Sequence, residues 1–180
     1  VILGMSFGSQ VAAQSFAAPQ ENPFGLVSAS IDDSPTPPVF ADMDDDGDLD
    51  LLVGTYAEYT PTVIQYFENT GTSTDPQFAA PQGNPFGLTT ELGTLLFPIV
   101  ADLDGDGDFD LLLPAFDLNS YDFLFKYFEN TGSPAVPQFS TAIDNPFGLD
   151  PIIDDFIVPA FADLDGDGDI DLSSVDYYGN

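Results

Sequence analysis

The strongest constraint on this chain is an internal repeat with a period of about sixty residues. The aspartate-rich stretches ADMDDDGDLD (41–50), ADLDGDGDFD (101–110) and ADLDGDGDID (162–171) begin their loops at Asp42, Asp102 and Asp163, steps of 60 and 61. YFENTG occurs at 66–71 and 127–132, and NPFGL at 22–26, 84–88 and 145–149. PQF occurs at 76–78 and 137–139, with QSF in its place at 14–16, and Pro38, Pro98 and Pro159 each stand four residues before a loop start. A unit of this size cannot bury an apolar face alone, so copies must stack on one another. The repeat region is read as 14–180: a leading outer strand and loop at 14–26, units at 27–88 and 89–149, and a partial unit at 150–180.

Each unit reads as four short strands. In the first they are 38–42, opening on a proline whose missing N–H is tolerable there, then 49–56, 63–69 and 76–81. The third closes on Asn69-Thr70-Gly71, a turn signal, and the fourth is proline-flanked, as suits an edge. NPFGL reads as a loop pinned by a buried Phe24, Phe86 or Phe147. No segment shows a sustained 3.6-residue period with caps, so almost no helix is expected. The expected fold is all-β, with β-propeller-type blades of four antiparallel strands. The ring would be incomplete, because closure takes about four to eight blades. A β-solenoid ranks second, since its period would be much shorter.

Composition narrows the function. Hydrophobic residues make up 43% of the chain, enough for a core despite a formal charge of −30. One basic residue, Lys126, faces 31 acidic ones. That leaves no cationic footprint for nucleic acid and no attraction to anionic lipid, and no stretch is apolar enough for membrane insertion. Cations are the natural partners of such a surface. Histidine, cysteine, arginine and tryptophan are absent. Zinc, copper and haem lose their usual ligands, and the common hydrolase triads cannot be built, so no enzyme is expected. Residues 1–13, VILGMSFGSQVAA, are uncharged and end in small residues before Gln14, as in the remnant of a signal peptide. The expected location is therefore extracellular, secreted or at the cell surface.

The aspartate loops carry the chemistry. The pattern D-x-D-x-D-G-x-x-D supplies side-chain oxygens at positions 1, 3, 5 and 9 and a backbone carbonyl at 7, with glycine at 6 for a sharp turn. Calcium takes about 6–8 such hard oxygens at about 2.3–2.6 Å, and alternation lets successive carboxylates converge on it. The candidate metal residues are Asp42, Asp44, Asp46, Asp48 and Asp50 around Gly47; Asp102, Asp104, Asp106, Asp108 and Asp110 around Gly107; and Asp163, Asp165, Asp167, Asp169 and Asp171 around Gly168. About three Ca²⁺ ions are expected. Position 12 is Val53, Leu113 or Ser174 rather than glutamate, and the flanks read as strands, which rejects an EF-hand. A single copy could be a solvated acidic turn, but three in one register favour calcium. Magnesium fits poorly, because it prefers rigid octahedral sites that keep several waters. Glu68 and Glu129 recur at matched positions and read as structural or solvated, and Lys126 reads as an outward strand residue.

With its two relatives, FADLDGDGDID (161–171) resembles the FG-GAP/VCBS repeats of integrin alpha-subunit propellers and of many secreted bacterial proteins. The resemblance covers nearly all of 14–180, although no Gly-Ala-Pro tripeptide occurs. It implies loops that join two strands of a blade and hold Ca²⁺ on one rim. It also implies a non-catalytic module for adhesion or for binding a protein or carbohydrate ligand. Homo-oligomers through blade stacking would suit such units. Two other roles stay open: a substrate-binding or other non-catalytic part of a secreted carbohydrate-active enzyme, or a structural protomer of a surface layer or filament.

Overall fold

The computed structural model describes residues 18, 23–26, 37–54, 63–89, 98–116, 123–149, 158–167 and 170–175. The signal-like stretch 1–13, the QSF segment at 14–16 and the end of the second expected strand at 55–56 lie outside the described residues.

Two four-stranded antiparallel sheets follow one another. The first comprises β1 (Val39–Ala41), β2 (Asp50–Gly54), β3 (Ile64–Phe67) and β4 (Gln82–Gly83), ordered as in the chain. The second repeats it with β5 (Ile99–Ala101), β6 (Asp110–Phe116), β7 (Phe123–Phe128) and β8 (Ile143–Asp144). A third, two-stranded sheet pairs β9 (Val158–Ala162) with β10 (Asp171–Val175). Helix among the described residues is confined to 3-10 turns at Pro23–Gly25 and Pro146–Gly148.

The register fixes the aspartate loops. Ala41 pairs with Asp50, Ala101 with Asp110 and Ala162 with Asp171. Each loop therefore closes a hairpin whose last cross-strand pair holds the ninth aspartate. In the first two units the segment beyond is a central, buried strand, β2 or β6, which explains its aliphatic run. Along β6, Leu111, Leu113 and Ala115 pack with Met43, Leu52, Ile64 and Tyr66 of the first unit. The intervening Leu112 joins Phe125 and Tyr127, with Phe161 of the third unit packed against them. The second sheet is thus covered on both faces, as stacked repeats require.

Two sequence expectations need correction. The fourth strand is not 76–81 but the two residues after it, Gln82–Gly83. Pro76 and Pro81 have no N–H to give a ladder. Between them the segment pairs with the chain beyond β3 at one isolated bridge, Asn69 to Phe78, flanked by the bonds Thr70 N–H to Gln77 O at 2.9 Å and Ala79 N–H to Glu68 O at 2.8 Å. The Phe78 N–H bonds instead to the Phe24 carbonyl of the preceding turn at 2.9 Å. Nor is NPFGL pinned by burial: Phe24 is 50% exposed, Phe147 61% exposed and Phe86 half-buried. These phenylalanines have φ of 58°, 57° and 56°, a left-handed turn that spends the residue on aiming its carbonyl outward. Ring contacts steady the turn, with Phe86 edge-on to Tyr66 at 4.8 Å and Phe147 to Tyr127 at 4.9 Å.

Candidate metal centre

Each loop is organised first by its own leading carboxylate. Asp42 Oδ1 accepts the Asp46 N–H at 3.1 Å and its Oδ2 accepts the Gly47 N–H at 3.0 Å. Asp102 Oδ1 accepts the N–H groups of Gly105 at 2.8 Å and Asp106 at 3.1 Å, and its Oδ2 that of Gly107 at 3.1 Å. Asp163 Oδ1 accepts from Gly166 at 2.7 Å. Four of the third- and fifth-position acids then cap an N–H two residues on: Asp104 to Asp106, Asp165 to Asp167, Asp46 to Asp48 and Asp106 to Asp108. Such short side-chain caps suit aspartate and curl the chain around its own acids. The sixth-position glycine is required by backbone angle, not by crowding. Gly47 and Gly107 have φ of 95° and 99°, yet a Cβ there would meet nothing within 4 Å. The sequence reading missed a second left-handed residue at position 4, where Asp45, Gly105 and Gly166 have φ of 56°, 80° and 81°. The two glycines were its only signal.

This curl gathers carboxylates. One oxygen from each of Asp42, Asp44 and Asp46 lies within 4.8 Å of the others; the same holds for Asp102, Asp104 and Asp110, and for Asp163, Asp165 and Asp171. Oxygens bound to one calcium at about 2.3–2.6 Å lie at most about 4.6–5.2 Å apart, so the trios are compatible with a shared ion. Asp44 Oδ1 is buried without a hydrogen-bond partner, and burial, followed by repulsion from Asp46 and Asp42, pushes its carboxyl up. A buried carboxylate oxygen of this kind suits a cation. Asp167 lies in the third loop outside its trio, while Gly168 and Asp169 lie outside the described residues.

In the first two loops the ninth acid anchors the loop to the third strand. Asp50 Oδ2 accepts the Met43 N–H at 3.2 Å and the Tyr66 hydroxyl at 2.9 Å, and its Oδ1 accepts the Asn69 N–H at 2.7 Å. Asp110 repeats this with Leu103 N–H, Tyr127 Oη–H and Asn130 N–H at 3.0, 3.0 and 2.9 Å. Both acids are fully buried. Burial pushes Asp50 up to about 6 against the opposing pull of its three hydrogen bonds, and it raises Asp110 likewise. Tyr66 and Tyr127 are raised too, by burial and by the adjacent carboxylates, so they remain hydroxyl donors. The YFEN string is thereby explained: its tyrosine and asparagine tie each loop to the third strand. Asn69 and Asn130 also order the next turn, each accepting two N–H groups through Oδ1, from Gly71 and Gln77 and from Gly132 and Gln138.

The seventh-position acids were expected to contribute a backbone carbonyl. The structure also buries their side chains, with Asp48 and Asp108 each 7% exposed and each Oδ1 without a hydrogen-bond partner. Burial, then repulsion from Asp106 and the other loop acids, pushes Asp108 up to about 6. Burial and the acids at 46 and 42 raise Asp48, while a hydrogen bond with the Asn69 side chain opposes the rise. A pocket of about 220 Å³, lined by Asp42, Asp45, Gly107, Asp108, Phe109 and Asn130, sets the first two loops side by side. Lys126 is not freely outward: it is half-buried and pairs with Asp144 at 2.8 Å across β7 and β8.

The model of the FG-GAP-like repeat family matches residues 42–113, from the first aspartate of loop one through loop two and into β6. The sequence resemblance is borne out over that stretch. No curated protein and no solved structure matches the chain.

Proposed function

We propose that this chain, which carries an FG-GAP-like repeat, is an extracellular calcium-stabilised binding module without catalytic activity. Its sheets act as β-propeller-type blades. The observation that carries this reading is a carboxylate trio at the same hairpin in three successive units. It is built on the first and third loop acids each time and completed by the fifth acid, Asp46, in the first unit and by the ninth, Asp110 or Asp171, in the other two. FG-GAP-like repeats are typical of extracellular proteins and are generally non-catalytic, which supports both location and role. Among the described residues no helix is long and apolar enough to cross a membrane. The residues that would hold the ions are those at loop positions 1, 3, 5 and 9, with the position 7 carbonyl. When bound, each ion offsets the mutual repulsion of its acids, and three ions bring the formal charge from −30 to −24. The blade rims then present an ordered surface to a protein or carbohydrate ligand.

Melting in Ca²⁺ and in chelator, at matched ionic strength, tests the calcium reading. Each filled site adds about 2.7 kcal/mol at a hundred times its Kd, so a large rise in Tm is expected with Ca²⁺ and a much smaller one with Mg²⁺. An unchanged Tm refutes the reading.

A further inference from the structure

We propose that the turn at residues 145–149 is an open docking site for the Pro-Gln-Phe segment of a further repeat unit. The same clasp is made twice within the chain. The Phe24 carbonyl accepts the Phe78 N–H at 2.9 Å, and the Phe86 carbonyl accepts the Phe139 N–H at 2.8 Å. In the second clasp the Gln138 side-chain amide adds a bond to the same Phe86 oxygen at 3.0 Å, so both of its lone pairs are used. The Phe139 ring meets Phe86 edge-on at 6.1 Å. In each case the NPFGL turn of one unit holds the PQF segment of the next.

The third turn is built like the second. Asn145, Phe147 and Gly148 have φ of 50°, 57° and 75°, against 47°, 56° and 84° at Asn84, Phe86 and Gly87. Asn145 clamps Phe125 of β7 through its N–H and Oδ1, as Asn84 clamps Ile64 of β3. The Phe147 ring leans on Tyr127 as Phe86 leans on Tyr66. Only the cover differs. A Cβ on Gly87 would collide with the Gln138 side chain, whereas a Cβ on Gly148 would meet nothing within 4 Å. Phe86 is half-buried and Phe147 is 61% exposed. Among the described residues no N–H reaches the Phe147 carbonyl.

The occupant follows from continuity with the interface already used between units. It must bring a backbone N–H and a glutamine amide to the Phe147 oxygen, and a phenyl ring to the Phe147 edge. Gln-Phe preceded by proline does this, with proline holding the strand extended and removing a competing donor. The contact contains no charged pair, so it does not depend on the calcium reading.

The probe is a cyclised peptide copying residues 129–140, ENTGSPAVPQFS, added to the isotope-labelled 180-residue chain and followed by NMR. Cyclisation preserves the hairpin that presents Gln138 and Phe139, reducing the ordering cost of a short ligand. Saturable shifts at the amides of 145–149 are expected. Alanine at the peptide's Gln138 or Phe139 position should weaken binding about tenfold or more, the loss of about 1.4 kcal/mol of contact. Phe147→Ala in the chain, which removes the ring that the ligand phenyl meets along with its contact to Tyr127, should do the same. Gly148→Ala is the second variant, placing a methyl where the glutamine must lie. No saturable shift, shifts centred on 84–88, or binding equal for a scrambled peptide or for the Gly148→Ala chain would each overturn the proposal.

Discussion

The second and third aspartate loops share the sequence ADLDGDGD-x-D, and their surroundings differ. Both make the local curl, with Asp102 capping Gly105 at 2.8 Å and Asp163 capping Gly166 at 2.7 Å, and both gather a carboxylate trio. In the second loop Leu103 packs against the Leu112 cluster, and Asp110 is fully buried among three donors. In the third, Leu164 is 67% exposed, and the half-buried Asp171 accepts the Leu164 N–H at 2.9 Å. The tyrosine and asparagine that bury Asp110 stand 17 and 20 residues further along the chain, on and just beyond β7. No described residue supplies their counterparts to Asp171. Ten residues therefore suffice to shape the carboxylate cluster, but a third strand is needed to bury its last member.

Substitution at the ninth position should separate the loops most widely. In chelator, Asp110→Ala leaves three donors without an acceptor, two of them on buried residues, each at about 1–3 kcal/mol, so a loss of about 3 kcal/mol or more is expected in the denaturant midpoint. Asp171→Ala should cost under about 1 kcal/mol. Equal losses would dissolve the contrast. Next in size is the leucine after the leading aspartate. Leu103→Ala should cost about 2 kcal/mol through lost packing, and Leu164→Ala should stay within about 0.5 kcal/mol, both read from urea melts. Tyr127→Phe, which keeps the ring and removes only the hydroxyl bond to Asp110, should cost about 1 kcal/mol. Tyr66→Phe should match it at Asp50, and a silent result at both would show that the ninth acid is held by its backbone donors alone.

The gentlest expected effect is on pH. Asp50 and Asp108 have folded values raised to about 6 above an ordinary value near 3.8. A raised acid contributes stability that is fully present below about pH 4 and lost as pH rises through about 6. In chelator the Tm should therefore fall across that window. In saturating Ca²⁺ the slope should reverse, because the ion requires ionised carboxylates. Parallel curves in the two buffers would contradict a metal role for these acids.

Much of this was legible in the sequence because it is local. The period, the hairpin around each aspartate loop, the left-handed Gly47 and Gly107 and the apolar central strands all follow from short-range pattern. The fourth strand was misplaced because Pro76 and Pro81 supply no N–H to a ladder, so the segment between them pairs at a single bridge, and the Phe78 N–H finds its acceptor on Phe24, more than fifty residues earlier. Phe24 and Phe147 were expected to be buried from their residue type alone. Their left-handed backbone, which directs the carbonyl to the next unit, shows only in three dimensions. The buried side chains of Asp48 and Asp108 were invisible for a similar reason, since their cover comes from the fold around them and not from neighbours in sequence.

Calcium stoichiometry tests the central claim most directly. Calorimetric titration of the chelator-stripped chain with Ca²⁺ should give three ions, and the Asp104→Ala chain should give two, with the first and third sites kept. Three ions in the Asp104→Ala chain, or no heat in the parent chain at millimolar Ca²⁺ (affinities of extracellular modules reach about 10⁻³ M), would contradict it.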